Sequence, residues 1–411
     1  MHKKRVKYLT LLDQALVSAS NFILVFLLTK LLGLSGFGTY SIVWLFAHFS
    51  MFISEGFIGE VAMLLVQKID SDKKDYLKHL FTVVIAYSLI AGAFTFATLS
   101  YLPSFNLKDF AFAGTSFALS FNLHWFARRC FHSLRAVKHL LLADTFAYFG
   151  RLVTTALALI FFQNLSINAI LYVFSGLNLI SLLPLLTCLG LPKFKQWGKY
   201  SREHYRLSRW LLPSYFMKWF STYSFIIIAE LFFGSTFVGV LRNVQNIFSI
   251  PSVLSQALTS YLPKQFGDAL KVDVRALFTS VSKTSRWLFL GTAGLGLSIS
   301  AILYLGGRIY FPELIRNYFS LFLWFSLITT AQIALLPQVV ALRTLNDLRT
   351  AWQVEFVAFI SMLITIFPAC LLLNYNGLML SLALSSSLTL VFSLIKKRKH
   401  LITVKNYETT L

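Results

Sequence analysis

LLDQALVSASNFILVFLLTKLLGLSGFGTYSIVWLF, residues 11–46, contains one apolar run, a glycine-rich turn and the start of a second apolar run. The first run, 11–32, is long enough to cross a hydrocarbon core of about 30 Å as a helix rising about 1.5 Å per residue. Basic HKKRVKY precedes it, as in a signal peptide, but the run is too long and no small-residue cleavage site closes it. It reads as a retained first helix.

Extending outward gives twelve such spans, at 11–32, 38–66, 80–102, 110–130, 139–162, 167–190, 208–233, 235–263, 285–306, 317–341, 350–373 and 376–395. With 57% hydrophobic and 13% charged residues, the chain is an all-α polytopic membrane protein. Its net charge of +21 would suit nucleic-acid binding if it were clustered on a soluble face. Instead, 30 of the 37 Lys and Arg fall before span 1, after span 12, or in every second connection and the span ends that border it. That is the positive-inside pattern, which assigns both termini to the cytoplasm and the basic loops to anionic headgroups. Membrane lipids are the expected surroundings, and nucleic acid is not an expected partner.

The spans divide into a first lobe at 1–190 and a second at 208–395. Between them lies the basic cytoplasmic linker LPKFKQWGKYSREHYRL at 191–207, and a basic tail occupies 396–411. Span 1 ends in LLGLSGFGTY and span 7 in LFFGSTFVGVL, so Gly33 and Gly38 match Gly234 and Gly239. Two six-helix lobes that both start inside predict a parallel pseudo-repeat with a central cavity between them. No G-x-x-x-x-G-K-[ST], H-E-x-x-H or G-x-S-x-G occurs, and the outer loops are short. The expectation is a non-enzyme without cofactor or metal. Cys130, Cys188 and Cys370 are scattered and read as small apolar fillers.

Polar groups inside the spans then carry the functional signal. Setting aside the topology charges and Lys30, Lys108, Arg308 and Arg316 at the outer edge leaves Arg151, Lys218 and Arg242. Each costs about 2.5–3.5 kcal/mol at mid-depth on insertion scales. Two readings stand: they line a hydrated cavity, or they pair with Asp13, Glu55, Asp144, Glu230 or Glu355. Span 8, VGVLRNVQNIFSIPSVLSQALTSYL, sets Arg242, Gln245, Asn246, Ser249, Ser252, Gln256 and Ser260 along one helical stripe, with Pro251 positioned to kink it. The stripe suits a cavity wall or a polar seam between helices. Span 2 sets Ser41, His48 and Glu55 seven residues apart. With Asp144, His48 and Glu55 could bind a coupling ion; alternatively Glu55 neutralises Arg151 or Lys218 and His48 is a satisfied interior residue. His124 is expected at the inner interface.

Three segments give the chain a family resemblance: 11–46, WFARRCFHSLRAVKH at the end of span 4, and IPSVLSQALTSYLPKQF at the end of span 8. The sequence resembles the polysaccharide and O-antigen flippases of the exporter superfamily that also contains the multidrug antiporters. That resemblance implies a transporter in the bacterial inner membrane moving a polyprenyl-pyrophosphate-linked oligosaccharide, with other polysaccharide-assembly membrane proteins as partners. On this reading Arg151, Lys218 and Arg242 hold the pyrophosphate by charge-assisted hydrogen bonds, and Gln245, Asn246, Ser249 and Gln256 meet the glycan. The alternative within the superfamily is a cation-coupled multidrug antiporter, which favours a net acidic cavity. A membrane polysaccharide polymerase would need a long outer loop bearing catalytic groups.

Overall fold

The computed structural model describes residues 2–69, 72–102, 105, 107–162, 165–193, 198–251, 262, 265–310, 312–345 and 348–409. Among them every regular element is helical. In order these are α1 (His2–Ser54), a π-turn (Glu55–Gly59), α2 (Glu60–Val66), α3 (Lys73–Tyr101), α4 (Ala111–Leu134) and α5 (Val137–Asp144). A second π-turn (Thr145–Phe149), α6 (Gly150–Phe161), α7 (Ile167–Ile180), α8 (Leu183–Leu189) and α9 (Gly198–Ile247) follow. The chain ends with α10 (Val274–Tyr310), α11 (Pro312–Thr344) and α12 (Leu348–Thr409).

Eight continuous helical segments of the described residues are long and apolar enough to cross a membrane. Three of them break at a left-handed residue: Gly33 in α1, Gly234 in α9 and Asn374 in α12. Each break separates two passes. Adding α4, 24 residues long, gives the twelve expected from the sequence. The arms of α1 run back past one another, because Glu55 pairs with Arg129 while Asp13 meets Asp144, the partner of Arg128.

Gly33 and Gly234 have nearly the same backbone angles, φ 70, ψ 173 and φ 77, ψ 173, a region open essentially to glycine alone. The matched glycines also meet reciprocally. A Cβ on Gly38 would lie 1.8 Å from the Ser235 carbonyl oxygen, and one on Gly239 would lie 2.1 Å from that of Leu34. Residues 34 and 38 correspond to 235 and 239 in the repeat, so each turn packs its glycine on the backbone of the other. Gly38→Ala or Gly239→Ala must displace main chain and is expected to cost about 1–3 kcal/mol, read as thermal unfolding in detergent. Gly291→Ala, where a Cβ would meet open space, serves as the near-neutral control.

The chain forms two compact units. One comprises Met1–Trp219 and Ile226–Gly239, the other Phe220–Phe225 and Val240–Leu411. The division therefore falls within α9, beyond the basic segment 191–207. Contact between the Gly234 and Gly33 turns gives the physical reason, since it ties 226–239 to the first unit. The first unit's core gathers Ile58, Val61, Leu77, Phe81, Phe126 and Phe131 from four helical elements. Leu262, Phe266, Leu277, Val281, Val340 and Ala341 form a core in the second unit.

Candidate ion-coupling site

On the first arm of α1 the buried positions are Asp13, Ser20, Leu24 and Leu28, a single helical face. That face turns Asp13 inward, towards Asp144 at the end of α5. Both carboxyls are wholly buried.

Three further groups close around this pair. Arg128 of α4 brings Nε to 3.0 Å from Asp144 Oδ2, and its Nη1 donates to the Tyr148 hydroxyl at 3.3 Å. His124 Nε2 stands 3.5 Å from Asp144 Oδ1, and its Nδ1 is 2.7 Å from Ser181 Oγ. Ser181 uses its own hydrogen on the Asn178 carbonyl, so it accepts from an Nδ1–H. In a neutral ring the Nε2 lone pair then faces Asp144 and can take a proton. On the next turn Arg151 Nη2 donates to Asn178 Oδ1, with its guanidinium 5.3–5.8 Å from the rings of Phe117, Phe121, Tyr148 and Phe174. Aromatic faces and one amide thus hold a cation that is 3% exposed.

A second buried ion pair lies one residue along α4. Arg129 Nε donates to Glu55 Oε2 at 2.9 Å, its Nη2 reaches Oε1, and Trp125 Nε1 donates to Oε2 at 2.7 Å. Trp125 joins the two sites, because the guanidiniums of Arg128 and Arg129 each lie 5.2 Å from its ring centre. Glu55 opens one π-turn and Asp144 immediately precedes the other. Such turns reset the helical face and often mark functional positions. Gly59 makes room for this carboxylate, since a Cβ there would approach Glu55 Oε2 to 2.2 Å and displace it.

The residues expected from sequence are distributed differently from a single cationic cradle. Arg151 and Lys218 belong to the first unit and Arg242 to the second. Arg151 is enclosed as described. Lys218 is exposed, with Nζ 5.9 Å from the Tyr215 ring. Arg242 Nη1 donates to Gln245 Oε1 at 2.7 Å, and Ser249 Oγ donates to the Asn246 carbonyl at 2.6 Å. Gln256, like Ser252 and Ser260, lies outside the described residues. His48 stacks on Trp44 at 4.3 Å and meets Phe52 at a tilt, 4.9 Å between ring centres.

Two expectations need correction. Glu55 neutralises Arg129 rather than Arg151 or Lys218, and His124 is 0% exposed rather than interfacial. Both changes have one cause: the inward face of α4 carries His124 and Arg128 into the packed interior and lays half-buried Arg129 against Glu55. The reading by loops had counted both arginines as topology charges. Their signal was the four-residue spacing of His124 and Arg128 on a helix, beside Trp125.

No protein-family model matches the chain, and no curated protein matches it. Solved structures do. An inward-facing multidrug resistance MATE family transporter of the MOP superfamily aligns with a TM-score of 0.71 at 12% identity, covering 96% of both chains. Its outward-facing counterpart gives 0.64 at 11% identity, over 98% of this chain and 96% of that one. A MOP superfamily transporter from Pyrococcus furiosus, described as having a binding pocket of reversed polarity and a different function, gives 0.67 at 10% identity over 98% and 95%. The chain has the twelve-helix, two-lobe fold of these transporters.

Proposed function

We propose that the protein is a proton-coupled, alternating-access exporter of the multidrug-antiporter kind, with Asp13 and Asp144 as the proton carriers. The pair of wholly buried neighbouring carboxyls carries this reading. Such a pair can gain or lose one proton without a large rearrangement, and its burial makes occupancy a sizeable change of local charge. The charge balance of the first unit also favours it. With both aspartates ionised, Asp13, Glu55 and Asp144 equal Arg128, Arg129 and Arg151 in number, so the deprotonated state has no net positive interior to repel a cationic substrate. The likeness in fold to multidrug transporters agrees with this reading.

A second reading, translocation of a polyprenyl-pyrophosphate-linked oligosaccharide across a bacterial inner membrane with both termini cytoplasmic, has its own support. Lys218 is exposed, and Arg242 shares a helix with Gln245, Asn246 and Ser249, a set suited to phosphate and sugar hydroxyls. The Pyrococcus furiosus neighbour described with a pocket of reversed polarity is consistent with such a substrate on this fold.

Reconstitution separates the two. In proteoliposomes under an imposed pH gradient, the antiporter moves ethidium against its gradient and dissipates ΔpH as it does so. A fluorescent polyprenyl-pyrophosphate glycan crossing the bilayer, with no ethidium transport, would transfer the assignment to the second reading.

A further inference from the structure

We propose that Arg128 is a built-in counter-cation that positions and unloads the proton site, competing with the proton for Asp144; this rests on the reading of Asp13 and Asp144 as proton carriers. Arg128 is 8% exposed and held on every side. Its Nε meets Asp144 Oδ2 at 3.0 Å, its Nη1 meets Tyr148, and its plane rests 5.2 Å from the Trp125 ring and 5.4 Å from that of Tyr148. Trp125 is itself pinned through Nε1 to Glu55, so the second ion pair holds one wall of the first. A guanidinium fixed in this way cannot swing aside when a proton arrives.

The consequence is electrostatic. With both acids ionised, Asp13 and Asp144 balance Arg128 and Arg151; one proton leaves a single negative charge facing two positive ones. A positive charge within about 4–6 Å of an Asp lowers its proton affinity by about 1–3 pH units. Arg128 supplies the opposing push.

Groups facing the pair come from each neighbouring element. They are Asp13 on α1, His124 and Arg128 on α4, Tyr148 in the second π-turn, Arg151 on α6, and Asn178 and Ser181 at the end of α7. Among these cations Arg128 alone lies within ion-pair distance of Asp144 irrespective of protonation. Arg151 instead donates to Asn178.

The test is a pH titration of the purified full-length protein by infrared difference spectroscopy, following the carboxylic-acid C=O band. The band should disappear in Asp13→Asn and in Asp144→Asn. In Arg128→Gln its midpoint should move about 1–3 pH units higher, and Arg128→Lys, which keeps the charge without the planar fork, should fall between that and wild type. An unchanged midpoint in Arg128→Gln, with the band still lost in both Asn variants, would overturn the role of Arg128 and leave the proton site standing. A band that persists in both Asn variants would overturn the proton site itself. If Arg128→Gln does not fold, the lysine variant decides: a smaller upward shift supports the role, and none overturns it. A role confined to packing would lower thermal stability without moving the midpoint.

Discussion

Asp13→Asn or Asp144→Asn will reduce gradient-driven transport at least tenfold while leaving the protein folded. Asparagine is nearly isosteric with aspartate and offers an N–H to the remaining carboxylate, so the contact between α1 and α5 survives. What it cannot do is exchange a proton. The measurement is the initial rate of ethidium or lipid-linked glycan movement in proteoliposomes, whichever wild type transports, with and without ΔpH. Rates in both variants that still respond to ΔpH as wild type does would remove the two acids from the mechanism. Because either variant removes a carboxyl that can change its charge, uncoupled leak of the probe is also expected to be independent of pH.

Arg129→Ala will destabilise the protein by about 3–5 kcal/mol, the range for removing one partner of a buried ion pair. Glu55 is 2% exposed, and with Arg129 gone its remaining side-chain donor is Trp125. The double variant Glu55→Gln, Arg129→Ala, compared with each single substitution, leaves no uncompensated charge and should recover more than half of that loss. Chemical unfolding in micelles, read as the coupling energy of the double-mutant cycle, checks the pair directly. Additive single losses would mean that the two residues act separately.

These two predictions rest on parts of the molecule that were unequally legible in the sequence. Asp144 and Glu55 stood out as carboxylates inside apolar spans, which is costly without a function or a partner. Arg128 and Arg129 did not, because a basic residue near the end of a span looks the same whether it meets headgroups or an interior acid. The missing information was how far α4 runs and which face it turns inward. Arg151 was legible as an anomaly, but its setting was not. Four aromatic rings drawn from three parts of the chain surround it, and no local pattern announces such a cage.

The sequence by itself determined the number of passes, the sites where three long helices break and the repeat that relates Gly33 and Gly38 to Gly234 and Gly239. All of these are local or periodic: hydropathy over about 20 residues, and a glycine where the backbone turns left-handed. Tertiary structure alone decided which charges meet. Asp13 and Asp144 come from separate helices, α1 and α5, and Glu55 reaches an arginine 74 residues away. In a membrane interior, where each unpaired charge is costly, rotation of a helix by a fraction of a turn decides whether an arginine faces a substrate or a carboxylate. That rotation is set by the packing of all its neighbours, with the two π-turns shifting the helical face where Glu55 and Asp144 must find their partners.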